Sequence, residues 1–391
     1  MADEQDPKRR AYLVIQANKT KTNEELGEML GVSERTVRRY KKEMQKEGMI
    51  GAQADLTAVR NQHAYNDLKR KYNQLLQTLD EKDKALARYE LISDSPTAIE
   101  ITSKAKTKRE VVPVIVASDW HIEETVTAAI TNGLNEYNLS IAEESIKQFF
   151  DNACTLIKQT KQTSVVKTVV LAVLGDIING VLRDEDLETN QVTAIDAMTL
   201  ARSFLYSGIT KIAADTGCAV RVICCVGNHG RMTDKIHYSN QIHNSLEYLM
   251  YKTLERDFRD HEKVRFTVAE GPYSIQEIYG IRVRFHHGHV SRYNGGIGGL
   301  SIPVLRKVAQ MNMIEKADLD VIGHFHSMQV LNNVIINGSL VGSNGFSMAC
   351  GFPHEPPQQT FFLIDSKYGR SMITPIFIDR KVNKAAIDKI K

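Results

Sequence analysis

Polar residues that can bind metals recur at the ends of apolar, β-branched segments in the second part of the chain. Five such segments lead into Asp119-Trp120-His121, Gly175-Asp176, Gly227-Asn228-His229, His287-Gly288 and Gly323-His324-Phe325-His326. Side chains alternate between the two faces of an extended strand, so two residues spaced i, i+2 point to the same side. Carboxylate, amide and imidazole groups collected at one edge of a sheet suit Mn²⁺, Fe or Zn²⁺. The pattern therefore predicts a centre for divalent metals.

Each motif taken alone also has a plain structural interpretation. A single histidine at a strand end is more often a hydrogen-bonded structural residue than a ligand, and Gly-Asp is a common turn. The five motifs in this order are far more specific. Together they resemble the signature of the calcineurin-like metallophosphoesterases, and the resemblance covers residues 111–380.

The resemblance implies an α/β catalytic domain, a two-layer β-sandwich flanked by helices, with two metals at the carboxyl ends of its strands. Carried over by position, Asp176 would bridge the two metals. The first metal would be held by Asp119, His121, Asp176 and His326, and the second by Asp176, Asn228, His287 and His324. His229 would act on the leaving group as an acid or transition-state stabiliser.

The implied cofactors are two divalent ions, with Mn²⁺ preferred and Fe, Zn²⁺ or Mg²⁺ as alternatives. Two metals about 3.5–4 Å apart can lower the pKa of a bound water and clamp the oxygens of an in-line displacement at phosphorus. The expected chemistry is therefore hydrolysis of a phosphoester.

Three departures from the family pattern bear on the substrate. Gly230-Arg231 follows His229 where family members usually carry an acidic residue, so the usual partner is missing or supplied elsewhere, with Asp184 as a candidate. The second motif reads Gly-Asp-Ile-Ile-Asn179-Gly, whereas phosphatases of the superfamily have Gly-Asp-x-x-Asp-Arg-Gly, which argues against a protein phosphatase. Residues 181–215 form an insertion that could shape a substrate groove.

Two features close to the fourth motif have competing interpretations. His286 and His289 flank His287, and only the His-Gly pattern of the family selects His287, so the other two are expected to be structural or to lie outside the ligand set. The glycines of 295–299 fit neither a dinucleotide fingerprint nor a P-loop. They predict a flexible turn, with a loop whose N–H groups face a substrate phosphate as the alternative.

Residues 7–50 predict three short helices, the last two with strong start signals. Thr22 and Glu25 fit a capping box, Gly31 a tight turn, and Ser33 the cap of a helix over 34–47. The segment resembles a helix-turn-helix DNA-binding unit whose second helix would enter the major groove. The alternative is a solvated basic face on a small helical domain. The residues expected to contact DNA are Arg35, Arg38, Arg39, Lys41 and Lys42.

Residues 62–91 predict a coiled-coil helix that pairs two copies of the chain. From Tyr65 to Tyr89, seven of eight positions at alternating steps of three and four are apolar or aromatic, with Lys82 as the exception. The alternative is an amphipathic helix that folds back on its own domain. Residues 92–110 predict a linker, and short strands with helices over 141–160 and 186–214 predict the α/β domain beyond it.

Length and composition exclude several classes of protein. The chain has 391 residues, 42% hydrophobic and 25% charged, which fits a globular protein of two or three domains. No segment approaches the ~20 apolar residues of a membrane helix, and Met1–Arg10 lacks the apolar stretch of a signal peptide. We therefore expect a cytoplasmic protein, in a bacterial or phage-infected cell, that does not enter a membrane. Five cysteines, an odd number, predict reduced core residues.

The positive charge is concentrated in the first part of the chain. Residues 1–110 carry 22 Lys and Arg against 18 Asp and Glu, and the remainder carries 28 against 29. The sequence thus predicts a dimetal phosphodiesterase that hydrolyses DNA, recruited by an N-terminal DNA-binding unit and similar in its tandem arrangement to nucleases of phages or mobile elements. The alternatives are a phosphodiesterase or phosphatase for a small nucleotide, and a DNA-binding regulator with an inert phosphoesterase domain. The five intact motifs make the regulator the weakest of these.

Overall fold

The structure is a computed structural model that describes residues 6–49, 56–93, 109–291, 299–349 and 354–379. The chain divides into two compact units, Met1–Ser103 and Lys104–Lys391. Most of the predicted glycine-rich turn and one of the five cysteines, Cys350, lie outside the described residues. The other four cysteines are buried free thiols, as expected.

Three short helices form a small core in the first unit: α1 (Pro7–Ala17), α2 (Asn23–Leu30) and α3 (Glu34–Lys46). The predicted capping box is confirmed, because the Glu25 N–H donates to Thr22 Oγ1 at 3.2 Å and the Thr22 N–H donates to Glu25 Oε2 at 2.7 Å. Gly31 ends α2 in the left-handed conformation with φ of 69°. All three helices contribute to the core, which consists of Tyr12, Ile15, Leu26, Val37 and Met44.

One long helix, α4 (Leu56–Ser93), contains the predicted coiled-coil segment. Its described seam residues are 54–67% exposed, namely Tyr65, Leu68, Tyr72, Leu75, Leu79 and Leu86. The helix itself is therefore present and carries an exposed apolar stripe, whereas its pairing with a second copy stays a prediction.

The described part of the second unit contains twelve strands and six helices. The strands are β1 (Arg109–Ala117), β2 (Ser164–Val165), β3 (Thr168–Val173), β4 (Ala219–Cys224), β5 (Val264–Val268), β6 (Ser274–Ile278), β7 (Ile281–His286), β8 (Leu319–Ile322), β9 (Gln329–Val330), β10 (Val334–Ile336), β11 (Gln358–Asp365) and β12 (Gly369–Phe377). The helices are α5 (Leu139–Thr163), α6 (Asp184–Thr189), α7 (Ala194–Thr216), α8 (Leu246–Asp257), α9 (Ser301–Ile314) and α10 (Gly345–Ala349).

These strands form two sheets. The larger has the order β12-β11-β1-β3-β4-β5, with β2 beside β1, and its strands β1, β3, β4 and β5 are parallel. The smaller has the order β6-β7-β8-β10-β9, with β7, β8 and β10 parallel. Because the parallel strands of one sheet share their direction, their carboxyl ends lie at one edge of that sheet.

The alternation of side chains along β1 shows how the layers pack. Val112, Val114 and Val116 share a core with Phe285 and Val321 of the smaller sheet, so the two sheets pack face to face. The opposite face of the larger sheet packs against α5, α7 and α8, and α9 covers the smaller sheet. The predicted two-layer sandwich flanked by helices is therefore confirmed.

Two element boundaries differ from the sequence-based expectation. The helix predicted over 186–214 is two helices, α6 and α7, because Thr193 starts a new helix by accepting the Asp196 N–H at its side chain. The segment predicted as a linker over 92–110 ends inside β1, where Arg109 and Glu110 pair with β2. None of the described helices is long and apolar enough to cross a membrane.

Candidate metal centre

The five predicted motifs come together at the carboxyl ends of five strands. In the larger sheet, β1 leads into Asp119 and His121, β3 into Asp176, and β4 into Asn228. In the smaller sheet, β7 leads into His287, and β8 into His324 and His326. Six of these seven residues form groups whose ligand atoms lie within 4.8 Å of one another. The seventh, Asn228, places its side-chain oxygen 3.1 Å from His287 Nε2.

The first group joins Asp119, His121 and His326. His121 Nε2 lies 3.2 Å from His326 Nε2, and His326 Nε2 lies 3.4 Å from Asp119 Oδ1. The Nδ1–H of His121 donates to Asn179 Oδ1 at 2.9 Å, which leaves the lone pair on Nε2. Two imidazole nitrogens and one carboxylate oxygen thus converge on one point, as the ligands of a metal do.

The second group joins Asp176, His287 and His324. His287 Nδ1 lies 2.7 Å from the Leu174 carbonyl oxygen, which can only accept, so Nδ1 carries the proton. Its Nε2 then faces two oxygens, Asp176 Oδ2 at 2.8 Å and Asn228 Oδ1 at 3.1 Å. Without a metal, a proton on Nε2 can be donated to these oxygens, and a divalent cation bound at this point would take the place of that proton.

Strained backbone marks the same residues. Seven non-glycine residues among those described have positive φ, and five are predicted ligands: Asp119 (56°), His121 (45°), Asp176 (50°), His324 (73°) and His326 (53°). A left-handed conformation costs a residue with a Cβ on the order of 1 kcal/mol, and such strain concentrates at functional sites. The backbone is therefore held in costly conformations where these side chains must point inward.

Close approach of the loops explains the glycines of the motifs. A Cβ on Gly175 would lie 2.1 Å from the Gly227 nitrogen, and one on Gly227 would lie 2.0 Å from Asp176 Oδ1. A Cβ on Gly323 would lie 2.5 Å from Asp119 Oδ2. Gly175 also has φ of +84°, so at this position the sharp turn matters as well.

Comparisons with known proteins bear on both units. Residues 6–50 match the family model described as winged helix-turn-helix DNA-binding. Within residues 6–49 the structure has three helices and no strand, so a wing is not among the described elements. No curated protein matches the chain.

Several solved structures align with part of this chain at low similarity. An archaeal phosphodiesterase is 10% identical over 67% of this chain and 99% of its own, with a TM-score of 0.30. A hypothetical protein from Pyrococcus horikoshii is 15% identical over 71% and 92%, with a TM-score of 0.31. Vps29 from Entamoeba histolytica, solved with Zn²⁺, is 10% identical over 68% and 99%, with a TM-score of 0.27. Scores this low carry no conclusion about the chemistry of this chain.

His229 lies beside both groups and is held through its backbone and its ring. Its N–H donates to Asp176 Oδ1 at 2.8 Å, and its Nδ1–H donates to the Asn179 carbonyl oxygen at 2.8 Å. Asp184, the partner considered from the sequence, is exposed at the start of α6, so the backbone of Asn179 takes that place. Asn179 therefore orients His121 and His229 together.

The other two histidines of the fourth motif differ from His287. His286 is buried beside Asp320, which forms an ion pair with Arg284, and burial lowers the pKa of His286. His289 lines the cleft and contacts Gln241 Nε2 at 2.9 Å, and burial lowers its pKa to about 3. The geometry thus brings His287, and neither of its neighbours, against Asp176 and Asn228.

Of the four predicted imidazole ligands, His121 and His324 have lowered pKa values, whereas His287 and His326 have raised ones. Burial holds the pKa values of His121 and His324 well below the usual range, so each ring keeps one nitrogen lone pair that can bind a cation. Burial alone would also lower the pKa of His287, but the Asp176 carboxylate outweighs it and raises that pKa to about 9. Asp176 in turn is kept ionised, because its histidine neighbours overcome the effect of burial on its pKa.

Two fully buried glutamates that the sequence did not single out hold the ligand loops. Glu247 accepts the Ile177 N–H and the Gly227 N–H, both at 2.7 Å, so one carboxylate ties the loop of Asp176 to that of Asn228. Glu123 accepts the N–H groups of Asn179 at 2.8 Å and Gly180 at 2.7 Å. Burial raises the pKa of Glu123 to about 7 and that of Glu247 to about 8. Both glutamates therefore position the loops that carry the predicted ligands.

We expect Glu247→Gln to weaken metal binding. Above pH 8, where Glu247 is ionised and both of its oxygens accept, the amide has one acceptor for the two N–H groups and turns its own N–H₂ toward one of them, which pushes the loops of Asp176 and Asn228 apart. Loss of a supporting contact of this kind costs about 10–100-fold in metal affinity. Metal titration of the full chain, followed by calorimetry, measures the effect.

Glu255→Gln on the same helix is the matched control, because Glu255 pairs only with Lys252 among the ion pairs of the described residues. Thermal unfolding in chelator separates loss of metal from loss of fold. Equal metal affinity in Glu247→Gln and the wild type would remove Glu247 from the support of the centre.

Proposed function

We propose that the chain is a divalent-metal-dependent phosphodiesterase that hydrolyses DNA and is recruited to DNA by its N-terminal helices. The observation that carries the proposal is the convergence of three metal-ligand groups: the two described above and a third of His121, Asp176 and His229. The second and third groups share Asp176. A shared carboxylate between neighbouring groups is what a two-metal site needs. Ions held there would supply Lewis acidity and an activated water nucleophile.

The residues present fit such ions by their chemistry. Asp119, His121, Asp176 and His326 would hold one ion, and Asp176, Asn228, His287 and His324 the other. Oxygen and imidazole donors without thiolate suit Mn²⁺ first, with Fe, Zn²⁺ and Mg²⁺ as alternatives. The close approach of nitrogen and oxygen atoms at His287, and of two nitrogens at His121, supports this assignment, because one cation can bind all the atoms of each cluster.

His229 is the residue proposed to act on the leaving group. With Nδ1–H donated to Asn179, the remaining nitrogen, Nε2, is free to carry a proton, and His229 lines the cleft. A proton delivered there neutralises the alkoxide that leaves when a DNA phosphodiester is cleaved. The backbone N–H of His229 meanwhile holds Asp176 in place.

The basic face of α3 is proposed to bind the DNA backbone. Arg35, Arg38, Arg39 and Lys42 are exposed at helical spacing, on the side of α3 opposite the buried Val37 and Met44, and Lys41 is half-buried. Arg38 and Arg39 also pair with Glu34 and Glu43 on the same helix. These exposed pairs are weak, so phosphate contacts can replace them.

A homodimer through α4 completes the proposal. Leucine and tyrosine side chains 54–67% exposed along four heptads are costly in water, and a second copy would cover them. Two chains paired in this way would bring two DNA-binding helices to one duplex, as helix-turn-helix dimers do.

The recruitment step predicts a change in the salt dependence of DNA binding. Replacing Arg35, Arg39 and Lys42 together by alanine should weaken binding and reduce the slope of log K against log salt by about one for each lost phosphate contact. Fluorescence anisotropy with a labelled duplex at several salt concentrations measures both quantities.

A triple substitution of Arg10, Lys19 and Lys21 removes the same charge from exposed positions of the same unit and serves as the control. If both variants change the slope equally, α3 has no special role and only the net charge matters. The alternative function, a phosphodiesterase or phosphatase for a small nucleotide, would then be better supported. It is favoured by the cleft beside the centre, whose volume of about 550 Å³ lies within the range of small-molecule sites.

A further inference from the structure

The cleft above the metal centre has a wall whose chemistry differs from that of its floor. The floor contains predicted ligands, including His121, Asp176 and His326, and the wall contains Arg183 and Phe346. Arg183 directly precedes α6, in the insertion that separates the second and third motifs, and Phe346 lies in α10. Neither residue is explained by metal binding.

Arg183 and Phe346 form a stacked pair. The Arg183 guanidinium carbon lies 4.8 Å from the centroid of the Phe346 ring, and the Phe346 side chain is 48% exposed. Exposed aromatic rings with a guanidinium over them are the surfaces on which unpaired bases stack in single-strand-binding proteins.

The backbone on both sides of this pair is held in place. The Arg183 N–H donates to Asp186 Oδ2 at 2.8 Å, and the Asn344 and Ser347 side chains exchange hydrogen bonds with each other's N–H at 2.9 and 3.0 Å. Asn344 Nδ2 also donates to Glu124 Oε1 at 2.9 Å, across the cleft wall. The platform is therefore formed before a substrate binds, which reduces the entropy lost on binding.

The charges that line the cleft near Arg183 and Phe346 favour an uncharged group of the substrate over a second phosphate. Glu124, Glu185 and Glu355 line the wall, and Arg183 is the one lysine or arginine among the described lining residues. A second phosphate would meet these carboxylates, whereas a neutral planar group would meet the ring and the guanidinium.

We propose that Arg183 and Phe346 form a stacking subsite for the nucleobase next to the scissile phosphate. This inference rests on the proposed function and specifies its substrate: a base can stack there only when it is unpaired, so the strand is single-stranded where it enters the cleft. The preferred substrate is accordingly a single strand or a frayed end rather than a continuous duplex.

The subsite predicts a specific loss of affinity in Phe346→Ala. The Mn²⁺-loaded full chain should bind thymidine 5′-monophosphate about tenfold more tightly than methyl phosphate, the order expected of one base stacked on an aromatic ring. Phe346→Ala should bind the two ligands about equally, with its affinity for methyl phosphate unchanged. Phe346→Tyr should keep the preference for the nucleotide. Isothermal titration calorimetry measures both ligands.

Phe377→Ala is the matched control, since Phe377 is 56% exposed on β12 and does not line the cleft. An unchanged ratio in Phe346→Ala, or equal affinity of the wild type for the two ligands, would overturn the subsite. Turnover of thymidine 5′-p-nitrophenyl phosphate is recorded in parallel. Tight nucleotide binding without turnover would support the subsite and contradict the proposed hydrolysis, so the two failures are distinguishable.

Discussion

Replacing Asp176 by asparagine should abolish phosphodiester hydrolysis and lower the metal content below two ions per chain. The side chain is 1% exposed, its Oδ2 lies 2.8 Å from His287 Nε2, and its Oδ1 accepts the His229 N–H. The amide keeps the size of the carboxylate and removes the charge that Asp176 contributes both to the group with His287 and His324 and to the group with His121 and His229. Mass spectrometry of bound metal together with turnover of a small diester measures the change.

Asp184→Asn provides the matched control, because this aspartate is exposed on α6 outside the lining of the cleft. It should retain metal and activity. Turnover close to wild type in Asp176→Asn, with two metals still bound, would show that the shared carboxylate is assigned wrongly.

Replacing His229 by alanine should reduce kcat for DNA by about 10²–10⁴-fold with little change in metal content, as expected for loss of a general acid. Alanine keeps the backbone N–H that orients Asp176, so the variant removes only the ring. The rate with bis-p-nitrophenyl phosphate should fall far less, because p-nitrophenolate leaves without a proton.

The metal content of this variant decides between two roles. His229 Nε2 or Nδ1 also belongs to a possible ligand group with His121 and Asp176. If His229→Ala loses one metal and slows both substrates equally, His229 is a ligand rather than an acid. Unchanged DNA hydrolysis would remove it from the mechanism altogether.

Much of this arrangement could be predicted from the sequence, because the motifs lie directly after apolar strands. Strand direction then brings Asp119, Asp176 and Asn228 to one edge without any knowledge of side-chain packing. The pattern indicated an α/β domain, and the two-layer sandwich was implied by the resemblance to the calcineurin-like metallophosphoesterases. The role of the motif glycines was not evident from the sequence, since Gly227 and Gly323 are needed for close approach of side chains from other loops, which only the folded chain reveals.

The supporting residues could not be predicted in the same way. Glu247 lies 71 positions after Asp176 on a helix, and its partners are backbone N–H groups, which have no signature in a sequence. Glu123 follows His121 by two positions and could have been noticed through that i, i+2 spacing. Strands β5, β6 and β9 are short or carry polar residues, as Ser274–Ile278 does, and give no clear apolar run, whereas β11 contains the apolar run Phe361–Ile364 and could have been predicted.

Incubation of the purified full chain with single-stranded and duplex DNA tests the central claim most directly. End-labelled linear strands and a plasmid are each incubated with Mn²⁺, with Mg²⁺ and with chelator, and Asp176→Asn is assayed beside the wild type. We expect Mn²⁺-dependent cleavage by the wild type, absent in chelator and in the variant, and fastest on the single strand. Intact DNA under all conditions, or cleavage that persists equally in Asp176→Asn, would contradict the account.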